Sequence, residues 1–454
     1  MIKSFFARNI FNPLHLKFYR RDKSLKYLKE YRKRQWDSLE DNLKIQKENL
    51  YHLLKYVIEI IPYYQKIAKE KNIVISRENI QDDLKKFPVM TKSNLKNEFP
   101  HLHNLSDNAK WFYNYSGGST GEPTRIIQDK KYNEHSWAVN YMHYEWAGYN
   151  YGDKMIQLWG SQQDILKEKA ATSHVIAEWI KSVHILNSFA MDNKTMDRYI
   201  KFINVKKPKL ILAYAQSMDE LSKFIIANNI KVHSPNSIMT SAGILYPEFR
   251  KNIETAFKCQ VFNRYGSREI GSAACECEKH EGLHISTFTH YFEILNDDLK
   301  PCTEGEMGHI YVSSLVNYSL PLIRYKIGDM AIYTDQKCSC GRGLPLIKFV
   351  VGRDSDVFKT ANGKIIDGIF FLHFISVVHN NGSISKFQLI QKDYDLILVR
   401  VVINNHELFN IIRKDIEDSF KKAMGENCKI VWDEVDDIKP LSSGKYRFTI
   451  REFE

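Results

Sequence analysis

At 454 residues, with 43% hydrophobic and 26% charged side chains, the chain has the make-up of a soluble globular protein too long for one hydrophobic core, so two domains are expected. No apolar run reaches the roughly 18 residues that span a bilayer, and the start lacks a signal peptide's apolar core and cleavage site, so the integral-membrane and secreted classes are set aside and a cytoplasmic location is expected. The net charge of +11 is concentrated in residues 1–35, where eleven Lys and Arg stand against Asp22 and Glu30, which argues against a nucleic-acid binder with a basic stripe on its folded body.

In that basic arm Phe5, Phe6, Ile10, Phe11, Leu14, Leu16 and Phe18 interleave with the cations, a composition suited to peripheral contact with the inner membrane face or with an acidic partner. The plainer alternative is a helix packed along the body by its apolar face, and Pro13 interrupts any long amphipathic helix. From 24 to 70, Leu25, Leu28, Trp36, Leu39, Leu43, Leu50, Leu53, Leu54, Val57, Ile60 and Ile61 recur at three- and four-residue steps and predict helix, broken at Pro62-Tyr63-Tyr64. Thr91 caps a further helix. Up to about residue 250, β-rich runs at 154–159, 182–186, 210–213 and 237–240 alternate with helical segments at 192–204 and 217–228. Residues 257–335 are strand-dominated, with runs at 260–263, 283–286, 291–295, 308–313 and 331–333. A compact turn at 338–345 and Gly352-Arg353 lead into a final segment with a strand at 395–403 and a helix at 407–422. The predicted fold is α/β: a basic arm (1–35), a large N-terminal α/β domain with a strand-rich subdomain (36–352), and a small α+β C-terminal domain (353–454). No internal repeat or low-complexity segment interrupts it.

Five motifs carry chemistry. The loop Tyr115-Ser116-Gly117-Gly118-Ser119-Thr120-Gly121-Glu122-Pro123-Thr124 reads as a phosphate cradle, because glycines let an anion approach backbone N–H groups and the hydroxyls add donors. Glu122-Pro123 stands where a Walker loop needs Lys and then Ser or Thr, so that class of ATPase is disfavoured; the plain alternative is a surface turn. Asn263-Arg264-Tyr265-Gly266-Ser267-Arg268-Glu269 closes a strand with an aromatic for a base, a hydroxyl for a phosphate oxygen and a carboxylate for hydrated Mg²⁺. Arg324-Tyr325-Lys326-Ile327-Gly328-Asp329 places an acid after a glycine turn, suited to a ribose diol. Arg353 can contact ribose or phosphate ahead of the domain junction. Lys439-Pro440-Leu441-Ser442-Ser443-Gly444-Lys445 places a lysine on a loop, from which it can neutralise charge developing between a carboxylate and an α-phosphate. Read singly, each is an ordinary turn, cap or strand end.

In this order and spacing the motifs resemble the adenylate-forming superfamily of acyl-CoA synthetases, luciferases and peptide-synthetase adenylation domains, and most of all its phenylacetate–coenzyme A ligase branch with the CapK-type proteins of capsular polysaccharide loci. The resemblance runs over residues 51–450. It implies a mobile C-terminal lid that rotates between half-reactions, ATP-dependent activation of a small carboxylic acid to an acyl-adenylate, and transfer to coenzyme A or to an amine or hydroxyl acceptor in polysaccharide assembly. By resemblance, Ser116, Gly117, Gly118, Ser119, Thr120, Gly121 and Thr124 hold the ATP phosphates, and Ser241, Ala242, Gly243, Tyr265 and Gly266 form the adenine side. Ser267 and Glu269 supply the phosphate and Mg²⁺ contacts, Asp329 the ribose carboxylate, and Lys445 the adenylation lysine, while Arg353 joins the nucleotide-binding residues as a ribose or phosphate contact. Two departures stand out: Ser355 occupies the hinge position where the family commonly has an acid, and Glu122 replaces the Lys of many relatives. The basic arm and the missing hinge acid motivate a rival expectation, a non-catalytic membrane-associated scaffold of envelope polysaccharide assembly.

An odd count of seven cysteines without a secretion signal favours reduced thiols or metal ligands over disulfides. Cys277, His284, Cys338 and Cys340 form two pairs suited to tetrahedral structural zinc, with Cys275 and His280 as substitute ligands; several relatives in the branch look to have such a site. Buried reduced thiols are the alternative. Trp137, Trp146, Trp159, Tyr214, Ala215 and Gln216 are candidates for the acyl pocket.

Overall fold

The structure, a computed structural model, describes residues 22–105, 111–115, 124–159, 182–188, 191–363, 365–366, 368, 371, 375, 382–439 and 447–453. The chain divides into two compact units. The first runs through Leu245 and includes Phe249–Ile327 and Ala331–Val350; the second comprises Tyr246–Glu248, Gly328–Met330 and the chain from Val351 on.

The first unit opens with helices Ser24–Arg34, Leu39–Ile60 and Pro62–Glu70. Ser38 caps the second of these by accepting from the Asp41 N–H, and its Leu50, Leu53, Leu54 and Val57, at helical spacing, are fully buried. Pro62 proves to be a joint rather than an end: it occupies the first helical turn, where its missing N–H has no partner to lose, after one extended residue, Ile61. The Tyr64 hydroxyl then donates to the Pro321 carbonyl and accepts from the Ile323 N–H, each at 3.2 Å. Thr91 caps Lys92–Asn97 as expected, in a reciprocal pair with Asn94.

Strands β1 (Trp111–Tyr115) and β2 (Arg125–Asp129) pair antiparallel on either side of residues 116–123, and helix Lys130–Trp146 follows directly. The strands β3 (Met155–Trp159), β4 (Val183–Asn187), β5 (Leu210–Tyr214), β6 (Ser237–Ser241) and β7 (Gln260–Ser267) lie parallel in the order β4-β3-β5-β6-β7. Helices Asn193–Lys206, Ala215–Ala227 and Pro247–Phe257 alternate with them, so the α/β rhythm is present. β5 and β6 read as near-continuous buried runs, the pattern of parallel strands covered on both faces. Beyond β7 come β8 (Gly271–Glu276), β9 (Leu283–Ile285), β10 (His290–Leu295), β11 (Met307–Ser314), β12 (Tyr325–Tyr333) and β13 (Leu346–Arg353), which complete an eleven-stranded sheet in the order β10-β11-β12-β13-β9-β8-β7-β6-β5-β3-β4. The expected glycine turn before Asp329 is instead the middle of β12: Gly328 takes φ 84° inside the strand, a conformation glycine reaches without a steric penalty, and Asp329 is a strand residue.

In the second unit β14 (Phe358–Lys359) pairs with β15 (Ile365–Ile366), and β16 (Ile384–Asp393), β17 (Leu396–Ile403), β18 (Lys429–Glu434) and β19 (Thr449–Arg451) form a four-stranded sheet in the order β18-β17-β16-β19. Helix His406–Met424, capped by Asn405, buries Phe409, Ile412, Ile416, Phe420 and Met424. This is the α+β pattern expected of the C-terminal domain.

The basic arm is only partly described. Helix Ser24–Arg34 buries Leu28 and Tyr31, and Arg32 pairs with Glu145 of helix Lys130–Trp146. Its apolar face is therefore used in packing on the body, while Lys23, Lys26, Lys29 and Lys33 stay exposed. Residues 1–21 lie outside the described residues.

Candidate active site and candidate metal centre

The parallel register places Trp159 opposite Asn187, Ala213 opposite Leu158, Tyr214 opposite Ser241, and Thr240 opposite Asn263. The carboxyl ends of five strands thus meet along one edge, the place where ligands bind in open α/β sheets. Trp159 and Tyr214 face each other there with ring centroids 4.5 Å apart. Ser241 ends β6, Ala242 turns with φ 61°, and Gly243 lies 3.9 Å, as a built Cβ, from the Cβ of Ala215. β7 carries on past this edge to Tyr265, Gly266 and Ser267. Tyr265 is 9% exposed and meets Phe292 edge-on, so little of its ring remains for a base. A Cβ at Gly266 would lie 2.2 Å from the Gly271 carbonyl oxygen, so only glycine fits this crossing of β7 and β8.

Between β7 and β8 a tight turn holds Glu269. Its backbone N–H donates to the Ser267 hydroxyl at 3.2 Å. Burial, and after it the charge of the Glu269 carboxylate, raise the Tyr132 phenol above its ordinary value. Thr124 is buried at the start of β2, whereas Ser116, Gly117, Gly118, Ser119, Thr120 and Gly121 lie outside the described residues.

In the second unit Arg353 Nε pairs with Asp329 at 3.0 Å, and the Arg353 N–H donates to the Asp356 carboxylate at 3.3 Å. Arg447 Nε donates to Asp356 at 2.8 Å, and Arg451 pairs with Asp354 at 3.2 Å. Burial raises the Asp356 carboxyl above its ordinary value, although Arg447 pulls it down. Lys445 lies outside the described residues. Sequence reasoning assigned no role to Arg447 or to Asp356, which was noted only as an acid flanking Ser355; the available signal was an arginine two places after the loop lysine and that acid.

Trp146 is not part of the strand-end edge. Its indole N–H donates to Gln35 at 2.8 Å, and its ring lies 5.6 Å from that of His284. It walls the cysteine cluster instead. There the donor atoms of Cys277, His284, Cys338 and Cys340 all lie within 4.8 Å of one another. Cys277 Sγ and Cys338 Sγ are 3.6 Å apart, and Cys340 Sγ and His284 Nε2 are 3.4 Å apart. A tetrahedral zinc with ordinary bond lengths needs sulfur–sulfur and sulfur–nitrogen edges of about 3.8 and about 3.6 Å. His284 Nδ1 faces the Leu344 carbonyl at 3.4 Å, which turns Nε2 to the cluster. The N–H groups of Lys279 and Arg342 each approach a cluster sulfur, of Cys277 and Cys340, at 3.4 Å. The donor set fits zinc. Of the substitute ligands, His280 is engaged by Glu276 at 3.0 Å, and Cys275 lies back within β8, outside the cluster.

Known proteins share sequence and fold with this chain. Residues 358–452 match the family described as CapK C-terminal domain. Over 420 residues the chain is 25% identical to Protein CapK of Staphylococcus aureus, covering 91% of this chain and 90% of that protein. It is also 25% identical over 369 residues to the phenylacetate-coenzyme A ligase of Thermus thermophilus, covering 76% and 80%. Among solved structures, 2-hydroxyisobutyryl-CoA ligase in the postadenylation state, in complex with R3-HIB-AMP, has the same fold, with a TM-score of 0.72 at 15% identity over 92% of this chain and 91% of that one. The chain thus resembles the CapK proteins and the phenylacetate–coenzyme A ligases in sequence, and it shares its fold with 2-hydroxyisobutyryl-CoA ligase.

Proposed function

We infer that this chain is an adenylate-forming ligase. A carboxylate oxygen of the substrate attacks the α-phosphorus of ATP, the bond to the bridging oxygen of the β-phosphate breaks, and pyrophosphate leaves with that electron pair. An acceptor thiol, amine or hydroxyl then attacks the acyl carbon and AMP departs. The observation that carries this reading is the convergence of Trp159, Tyr214, Ser241-Ala242-Gly243 and the Ser267–Glu269 turn at the carboxyl ends of the parallel strands.

In this reading the 116–124 loop holds the phosphates, Glu269 with its single carboxylate holds Mg²⁺ shared with them, and Ser267 donates to a phosphate oxygen. Bound there, Mg²⁺ would neutralise phosphate charge that otherwise repels the carboxylate. Asp329, held by Arg353, accepts from the ribose hydroxyls, and Lys445 is the adenylation lysine. Zinc on Cys277, His284, Cys338 and Cys340 is structural, because the four donors leave no open position. The names of the phenylacetate–coenzyme A ligase relatives favour coenzyme A as acceptor; an amine or hydroxyl in capsular polysaccharide assembly is the other acceptor class the same chemistry serves. The enzyme takes precedence over a scaffold because a scaffold needs none of these groups at a strand-end edge.

The test is ATP–pyrophosphate exchange with a panel of aryl, fatty, amino and uronic acids. At least one acid is expected to support exchange, and silence across the panel would overturn the ligase reading. No described helix is long and apolar enough to cross a membrane. Peripheral contact through the basic arm is proposed on charge alone: deleting residues 1–20 is expected to reduce sedimentation with phosphatidylserine vesicles, and unchanged sedimentation removes the idea.

A further inference from the structure

Gln128 sits in β2, two residues before helix Lys130–Trp146 begins, and is 4% exposed. A glutamine buried so deeply in a five-residue strand must satisfy both ends of its amide. Its Nε2 donates to the Arg268 backbone carbonyl at 2.8 Å, and its Oε1 accepts from Asn114 Nδ2 at 3.1 Å. The Arg268 guanidinium closes the ring, with Nη1 at 3.4 Å from Asn114 Oδ1. These contacts reach across 140 residues of sequence to one peptide plane, the plane between Arg268 and Glu269.

That plane is held on both sides. Its carbonyl accepts from Gln128, and its N–H, which belongs to Glu269, donates to the Ser267 hydroxyl. Pinning both ends of a peptide unit fixes the backbone direction from which the Glu269 side chain departs. The other end of the clamp is just as informative. Asn114 precedes Tyr115, the last residue of β1 before the 116–123 segment, and Gln128 lies on the strand by which the chain returns from it. The surrounding strand is itself anchored, since the Ile127 carbonyl accepts from Asn317 at 2.9 Å and Asp129 accepts from Ser319 at 2.7 Å.

We propose that Gln128 is a positioning residue that ties the two stems of the phosphate-holding loop to the Glu269 carboxylate, and so sets the spacing between ATP phosphates and their Mg²⁺. The proposal rests on the ligase reading for the roles of the loop and of Glu269. A residue that only stabilised the fold would affect all ligands alike. A clamp acting through Glu269 affects the metal complex of ATP and spares metal-free ATP.

Calorimetry on the full chain separates these. Gln128→Leu removes both hydrogen bonds at similar volume, and Gln128→Glu keeps the acceptor for Asn114 while losing the donor to Arg268. Both variants are expected to bind Mg·ATP about tenfold more weakly than wild type, the scale of one buried hydrogen bond lost, with affinity for ATP in EDTA unchanged. In pyrophosphate exchange the half-saturating Mg²⁺ concentration rises while the rate at saturating Mg²⁺ stays within about threefold. Equal Mg·ATP affinity in a folded variant, or equal weakening with and without metal, overturns the clamp. If Gln128→Leu fails to fold, the half-buried Asn114→Ala, which removes the other limb of the clamp, decides by the same two affinities. A wild type that binds Mg·ATP but exchanges with no acid sinks the ligase reading and leaves the clamp to be decided by the binding data; a wild type that binds no Mg·ATP sinks both.

Discussion

Lys445→Ala is expected to lower pyrophosphate exchange by about 10²–10³-fold, the loss that follows removal of one preorganised electrostatic stabiliser, while the melting temperature stays at the wild-type value. When a carboxylate attacks an α-phosphate, two anions approach and negative charge grows on the phosphoryl oxygens. An ammonium brought to that point late in the reaction stabilises the transition state more than the ground state, so its loss falls on the rate. The second unit supports this assignment through the lysine's neighbour. Arg447, two residues on, is fixed to Asp356, and β19 begins at Thr449 alongside β16, so the chain that follows Lys445 is anchored firmly. The exposed Lys439, at the start of the motif that ends in Lys445, is the control. Lys439→Ala is expected to leave exchange unchanged, and a Lys445→Ala enzyme within tenfold of wild type would remove Lys445 from the site.

What could be read in the sequence follows from how local each signal is. The buried strands β3, β5 and β6 announced themselves as short apolar runs bounded by polar punctuation, and the capping side chain Thr91 marked its helix within the residues it caps. Helix Lys130–Trp146 did not announce itself. It buries Glu134 and His143 together with Val139, Met142 and Trp146, so polar and apolar residues share its inner faces and no stripe forms. His143 is held there between the hydroxyls of Ser272 and Ser286, a partnership across more than a hundred residues that no local pattern encodes. Gly328 misled for a related reason: a glycine before an acid is a turn signal, yet β12 absorbs its positive φ without ending. The same distance problem hid Gln128, whose amide donates to Arg268, 140 residues away in sequence. The cysteine cluster was legible because thiols and imidazoles are scarce and only a few combinations exist. Spacing left four combinations for the first pair of ligands, Cys275 or Cys277 with His280 or His284; the position of Cys277 just beyond β8, and the turn of His284 by Leu344, distinguish them.

Removing the metal from that cluster is expected to have the second large effect. Protein purified without chelator should carry about one zinc per chain, and Cys338→Ser or exhaustive treatment with a strong chelator should lower the melting temperature by about 10 °C, a modest share of what a structural zinc contributes in small domains. The effect should spread in a defined direction. Gln35 accepts from Trp146 and from Arg342 at 2.8 and 3.0 Å, and its own carbonyl accepts from the Gly343 N–H at 2.9 Å. Asn42 donates to the Gly343 carbonyl at 2.9 Å, and a Cβ at Gly343 would lie 1.9 Å from the Asp37 carbonyl oxygen, so the segment after Cys340 and the joint between the first two helices are fitted without spare room. If zinc fixes the course of residues 338–344, then losing it loosens the seat of helix Ser24–Arg34 before it disturbs the parallel strands. Amide exchange should therefore accelerate in that helix and in residues 277–284 and 338–344 of the metal-free protein, with β5 and β6 still protected. Cys259→Ser, at a thiol outside the cluster, should change neither zinc content nor exchange. A metal content near zero together with a melting temperature indifferent to chelator would show the four side chains to be a buried thiol cluster, and the N-terminal helix would then be held by its own packing, with Tyr31 on His135 and Phe288 and Arg32 on Glu145.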